Sequence, residues 1–146
     1  DTHESITKNL VTCCRKTDQP SAALVKDLKA RGLLETTIVH WGGETGRLPV
    51  TENHGAAEKA GRDHNGQGFS TWVAGGGFKG GMIYGETDEF GHKATANPVS
   101  PNDYHATLLH LFGLDHTKLI YHHNGQEERI TDTKPCRVVK EILRHT

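Results

Sequence analysis

What the sequence lacks is informative first. It has no apolar run longer than a handful of residues, and a membrane-spanning helix needs about 20; no membrane span is expected. Charge of one sign is not in excess either, because 17 Lys and Arg face 18 Asp and Glu for a net charge of -1. A balance so close to neutral gives no field for nucleic acid or an anionic membrane. Hydrophobic residues make up 34% and aromatics 6%, a thin supply for a self-sufficient core, and that thinness implies a missing partner surface. The 146 residues suffice for one domain and are too few for two. Cysteine is scarce as well. Cys13, Cys14 and Cys136 form no zinc spacing. Vicinal cysteines rarely bridge each other, so at most one could pair with Cys136. The redox compartment stays open. The chain starts at Asp1 with no signal-like apolar segment, as a piece of something longer would.

What is abundant is glycine, 17 residues, and histidine, 11. Histidine is both a common metal ligand and the usual proton carrier near neutral pH. The organising stretch is residues 36–47, TTIVHWGGETGR. Its β-branched start predicts a buried strand that stops at Trp41 and opens at Gly42 and Gly43 into a loop carrying Glu44 and Arg47. In open α/β sheets ligand sites form at the carboxyl ends of strands. A carboxylate and a guanidinium there suit a cation and an anion held side by side, or else form a solvated ion pair. A second loop, GRDHNG at residues 61–66, sets Arg62, Asp63 and His64 between glycines. That is either a metal and anion loop or an ordinary turn. Asp1 and His3, two apart in an extended segment, would project to one side like ligands of one ion, or belong to a frayed terminus.

The remaining pattern predicts an α/β fold, a layered mixed sheet with flanking helices. One helix carries Ile6, Leu10 and Cys13 or Cys14. A second starts at Asp18 as N-cap with Pro20 in its first turn, and ends at Gly32. Residues 69–74 and 82–85 read as strands, and 48–68 and 86–97 as polar loops. Ser100, Pro101 and Asp103 mark a capped helix that Gly113 closes, with Tyr104, Leu108 and Leu111 as its buried stripe and His105 partly buried beside it. A helical turn over 115–119, a hairpin around Asn124 and Gly125, and a docking helix over 137–145 complete the chain.

The motifs in order, Asp-x-His at residues 1–3, DQPSAALVKDLKARGLL, WGGETGR, GRDHNGQGF, WVAGGGFKGG, IYGETDEFG and DYHATLLHLFGLDHTKL, resemble the C-terminal portion of an uncharacterised bacterial sulfatase-like family of the alkaline phosphatase superfamily. The resemblance runs from Asp1 almost to Leu143. It implies a single C-terminal fragment over 1–146, in which 1–47 supplies helices, a strand and a site loop, 48–99 loops and strands, and 100–146 a helix, a hairpin and a terminal helix. It further implies part of a secreted or periplasmic, metal-dependent sulfuric- or phosphoric-ester hydrolase. The missing N-terminal part of the same protein would bring the nucleophile, so the fragment alone would be inactive. Asp1, His3, Glu44 and His64 are the metal ligands this implies, for Ca, Mg, Mn or Zn without distinction; the two loops add Arg47, near the anionic group, and Asp63, near the metal, as the catalytic residues. Gly43 and Glu44 stand where the superfamily carries an Asp-His pair, a departure from two-metal chemistry. The alternative is a non-catalytic module that binds an anion or a polysaccharide.

Overall fold

In the computed structural model, residues 2–52, 56–131 and 134–144 are described. The chain opens with a 25-residue helix, α1 (Ile6–Ala30). Strands β1 (Ile38–Trp41), β2 (Gly46–Arg47), β3 (His64–Asn65) and β4 (Trp72–Gly75) follow, with a 3-10 turn at Ala57–Lys59 between β2 and β3. After β5 (Glu86–Thr87) and β6 (Ala94–Ala96) come α2 (Pro101–Leu111), the hairpin β7 (Ile120–His123) and β8 (Gln126–Arg129), and a second 3-10 turn at Lys140–Ile142. The class is α/β. Among the described residues the sheet is not mixed, however: the strands form four separate antiparallel pairs, β1·β4, β2·β3, β5·β6 and β7·β8.

The β1·β4 pair is layered between the helices. Its register puts Trp41 opposite Trp72 and Val39 opposite Ala74, and alternation places these four on one face. Trp41, Trp72 and Ala74 share a groove with Ala22 and Val25 of α1, so α1 lies over that face. His40 points the other way, and its Nδ1 meets the Tyr104 hydroxyl of α2. β1 itself runs through Trp41 and is half-exposed rather than buried, because a two-stranded ribbon leaves both of its edges open.

Several expectations are corrected. Asp18 does not begin a second helix. The backbone stays helical through Pro20, since no glycine interrupts it and Thr17 Oγ1 donates back to the Cys13 carbonyl at 3.1 Å. Proline removes one ladder bond there, and on a helix without buried residues little packing is disturbed. Residues 82–85 are not a strand, whereas the polar stretch after them forms β5·β6. Residues 137–144 are extended with one 3-10 turn instead of helical, and residue 145 lies outside the described residues. Val138, Val139, Ile142 and Leu143 come in two pairs, a spacing an extended chain can also bury. The segment's backbone is taken by residues 77–79: Lys79 N–H donates to Ile142 O at 2.8 Å and Arg144 N–H to Gly77 O at 2.9 Å.

The buried apolar centre is small, Phe78, Ala106, Val139 and Leu143. Thr107 stitches it, donating to Asp103 O at 2.7 Å and accepting from Val139 N–H at 2.9 Å. The predicted α2 forms with a complete capping box between Ser100 and Asp103. His105 is exposed, because the fully buried positions are Ala106 and Thr107. No cysteine pairs, and Cys136 Sγ instead lies 3.6 Å from His116 Nδ1.

Candidate functional site

The site is assembled on β2·β3, where Arg47 pairs with His64 across an antiparallel register. The chain continues as an open ladder beyond this pair: Leu48 N–H donates to Asp63 O and Glu52 N–H to Gly61 O, both at 2.9 Å. These bonds bring the 47–52 segment alongside 61–64. The N-terminal segment docks on top, with Arg62 N–H donating to Thr2 O at 2.9 Å, Ser5 N–H to Lys59 O at 3.2 Å and Ile6 N–H to Ala60 O at 2.9 Å. Close approach depends on Gly61. A Cβ there would stand 2.0 Å from the backbone carbonyl of His3, a contact only glycine avoids.

This packing delivers three chain segments to one place. His3 Nδ1 is 2.7 Å from Glu52 Oε2 and 4.0 Å from Asp63 Oδ1. The other ring nitrogen, Nε2, accepts from Arg47 Nη1 at 2.6 Å, which fixes the tautomer: Nδ1 carries the proton and donates it to Glu52. Arg47 also donates to Arg62 O at 3.2 Å and lies 3.7 Å from Glu44 Oε1. Glu44 meets His64 Nε2 at 3.3 Å, and the His3 and His64 rings stand edge to face with centroids 4.9 Å apart. His64 N–H donates to the Asp63 carboxylate at 2.7 Å. The Glu44 carboxyl is lowered from its ordinary value, first by its own backbone N–H; burial, the next largest effect, opposes this, and Arg47, His64 and His3 each lower it further.

Of the residues singled out in the sequence, His3, Glu44, Arg47, Asp63 and His64 therefore come together, and Asp1 lies outside the described residues. They divide into two groups. Potential ligand atoms of His3, Glu52 and Asp63 lie within 4.8 Å of one another, whereas Glu44 and His64 pair beside them. Glu52 was not legible. It sits in a segment without periodicity, and its only signal is being a carboxylate five residues after Arg47 and eight after Glu44. One imidazole and two carboxylates suit a borderline or hard divalent ion. Their spacing, within 4.8 Å and with His3 Nδ1 at 2.7 Å from Glu52 Oε2, would need a small adjustment to reach the roughly 3 to 4.6 Å that separates ligands about 2.1 to 2.4 Å from an ion.

Behind the site, Asn65 is 1% exposed. Its Nδ2 donates to His92 O and its Oδ1 accepts from Gln67 N–H, both at 2.9 Å, while Thr45 Oγ1 donates to its carbonyl at 3.1 Å. The buried amide thus ties the Glu44 loop and β3 to the β5·β6 loop.

Sequence comparison with known protein families matches residues 1–143 to a family described as proteins of unknown function, DUF1501. The chain belongs to the DUF1501 family. No curated protein and no solved structure matches it. Among the described residues of this DUF1501 chain, no helix is long and apolar enough to cross a membrane.

Proposed function

We propose that this DUF1501 chain is the metal- and anion-binding part of a sulfuric- or phosphoric-ester hydrolase of sulfatase-like fold, acting in a secreted or periplasmic setting, with the nucleophile supplied by upstream residues. The observation that carries the reading is the convergence of His3, Glu52 and Asp63, from three separated segments, within 4.8 Å and beside Arg47. His3, Glu52 and Asp63 would hold the ion. A divalent ion there would polarise the ester and offset charge that develops on it.

Arg47 has the more specific part. While His3 keeps its proton on Nδ1, Nε2 engages Arg47. Were a neutral His3 to hold an ion through Nδ1, its proton would sit on Nε2 and two donors would oppose each other. The guanidinium would then be free to pair with an ester oxyanion, its natural acceptor. Glu44 and His64 form the adjoining carboxylate–imidazole pair, placed to orient a water or the ester. The test is hydrolysis of aryl sulfate and aryl phosphate by the longer polypeptide containing this chain, with Mg, Ca, Mn or Zn supplied. Turnover that falls at least about 100-fold in Arg47→Ala and Asp63→Asn supports the reading. Tight sulfate binding with no turnover of either ester favours a non-catalytic anion-binding module instead.

A further inference from the structure

A second site stands apart from the ligand cluster and from the reading just given. Between α1 and the β1·β4 pair runs a groove of about 520 Å³, inside the range of about 300 to 1,000 Å³ that small-molecule sites occupy. Its floor is Trp41 and Trp72, directly opposite each other in register, with ring planes 4° apart and centroids separated by 6.2 Å. Both indoles remain open to solvent, 45% and 38% exposed, although they are the chain's entire tryptophan content. The wall from α1 contributes Ala22, Val25, Ser21 and Asp18. Asp18 is the charged residue among these lining groups, and among the described residues it enters no ion pair; Thr17 Oγ1 at 3.4 Å is its hydrogen-bond neighbour.

We infer that this groove binds a small soluble organic cation carrying a trimethylammonium or similar alkylated ammonium group. Two parallel indoles offer π-faces of negative quadrupole to a cation whose methyl groups also satisfy an apolar wall. The unpaired carboxylate supplies the opposite charge at the rim. A neutral sugar would leave that charge without use, and an anion would meet it as repulsion. A protonated primary amine gains the charge term but must shed a tight hydration shell, so alkylation is what suits the apolar lining.

The test is a choline titration of the full chain followed by tryptophan fluorescence, which reports this groove alone because both tryptophans are in it. A dissociation constant on the order of 1 mM is expected, with the neutral tert-butyl isostere of choline at least about tenfold weaker. Trp72→Ala should lose binding at least about tenfold. Asp18→Asn, an exposed change that leaves the fold intact, should weaken choline about fivefold and leave the isostere unchanged. Equal affinity for choline and its isostere would overturn the inference, as would an unchanged Asp18→Asn titration. Binding to phosphatidylcholine vesicles without binding to free choline would overturn it too. So would a dimer, seen by sedimentation, that Trp72→Ala abolishes and choline does not affect, since a second copy would then be the occupant.

Discussion

His3 sits between a donor and an acceptor, and that position makes it the hinge of the site. Its ring joins Glu52 on one side to Arg47 on the other, so whatever occupies Nδ1 decides whether Arg47 is held or released. Inorganic sulfate should therefore bind more tightly when divalent metal is present, and this coupling should vanish in His3→Ala, as paired calorimetric titrations would show. Access of His3 to the carboxylates rests on Gly61. In Gly61→Ala the new Cβ meets backbone, not a flexible side-chain tip, so the N-terminal segment must lift away. Metal affinity should drop at least about tenfold while α2 and the β7·β8 hairpin keep their amide signals. Glu44 gives a prediction in pH. Its pKa is lowered from 4.5 by its backbone N–H and by Arg47, His64 and His3. What its contacts contribute is therefore fully present above the unfolded value and lost as pH falls through the lower, folded one. A carboxyl NMR titration should put its midpoint below 4.5 in the native chain and higher in Arg47→Ala.

At the level of elements, what could be read in advance was whatever local chemistry determines. Ser100, Pro101 and Asp103 specify an N-terminus by themselves, and the capping box is complete. Asn124 and Gly125, at φ 50° and 77°, make the turn that their types demand. Ser100→Ala should cost about 1 kcal/mol in chemical denaturation. Burial would raise the Asp103 carboxyl, but bonds from Arg137 N–H and from Ser100 hold it below its usual value. The contribution of the cap should therefore persist at neutral pH and fade as pH falls below about 4. Elements that answer to distant partners were not legible. Pro20 and Asp18 carry the local marks of a helix start, yet the helix runs through them. The segment after Cys136 has a helix-like spacing but is captured as extended chain by Phe78 and its neighbours. Glu52 belongs with these, because only the pairing of 47–52 with 61–64 gives it a role.

At the scale of the whole molecule, the described residues have a buried centre of four apolar side chains, while Leu24, Val50, Ile83, Phe90 and Phe112 remain exposed. The thin apolar composition signalled this, and the centre should be correspondingly sensitive. Leu143→Ala, which removes a side chain 1% exposed, should cost about 2–5 kcal/mol and lower the thermal midpoint without touching the His3, Glu52 and Asp63 cluster. The site therefore depends on three segments converging rather than on a rigid sheet, and the proposed function rests on a divalent ion binding at His3, Glu52 and Asp63. The direct measurement is equilibrium dialysis of the chain and of Glu52→Gln and Asp63→Asn against Mg, Ca, Mn and Zn, with bound metal counted by mass spectrometry. One ion per chain, lost at least about tenfold in affinity in both variants, is the expected result. No stoichiometric binding of any of the four ions, or binding that both variants retain in full, would contradict it.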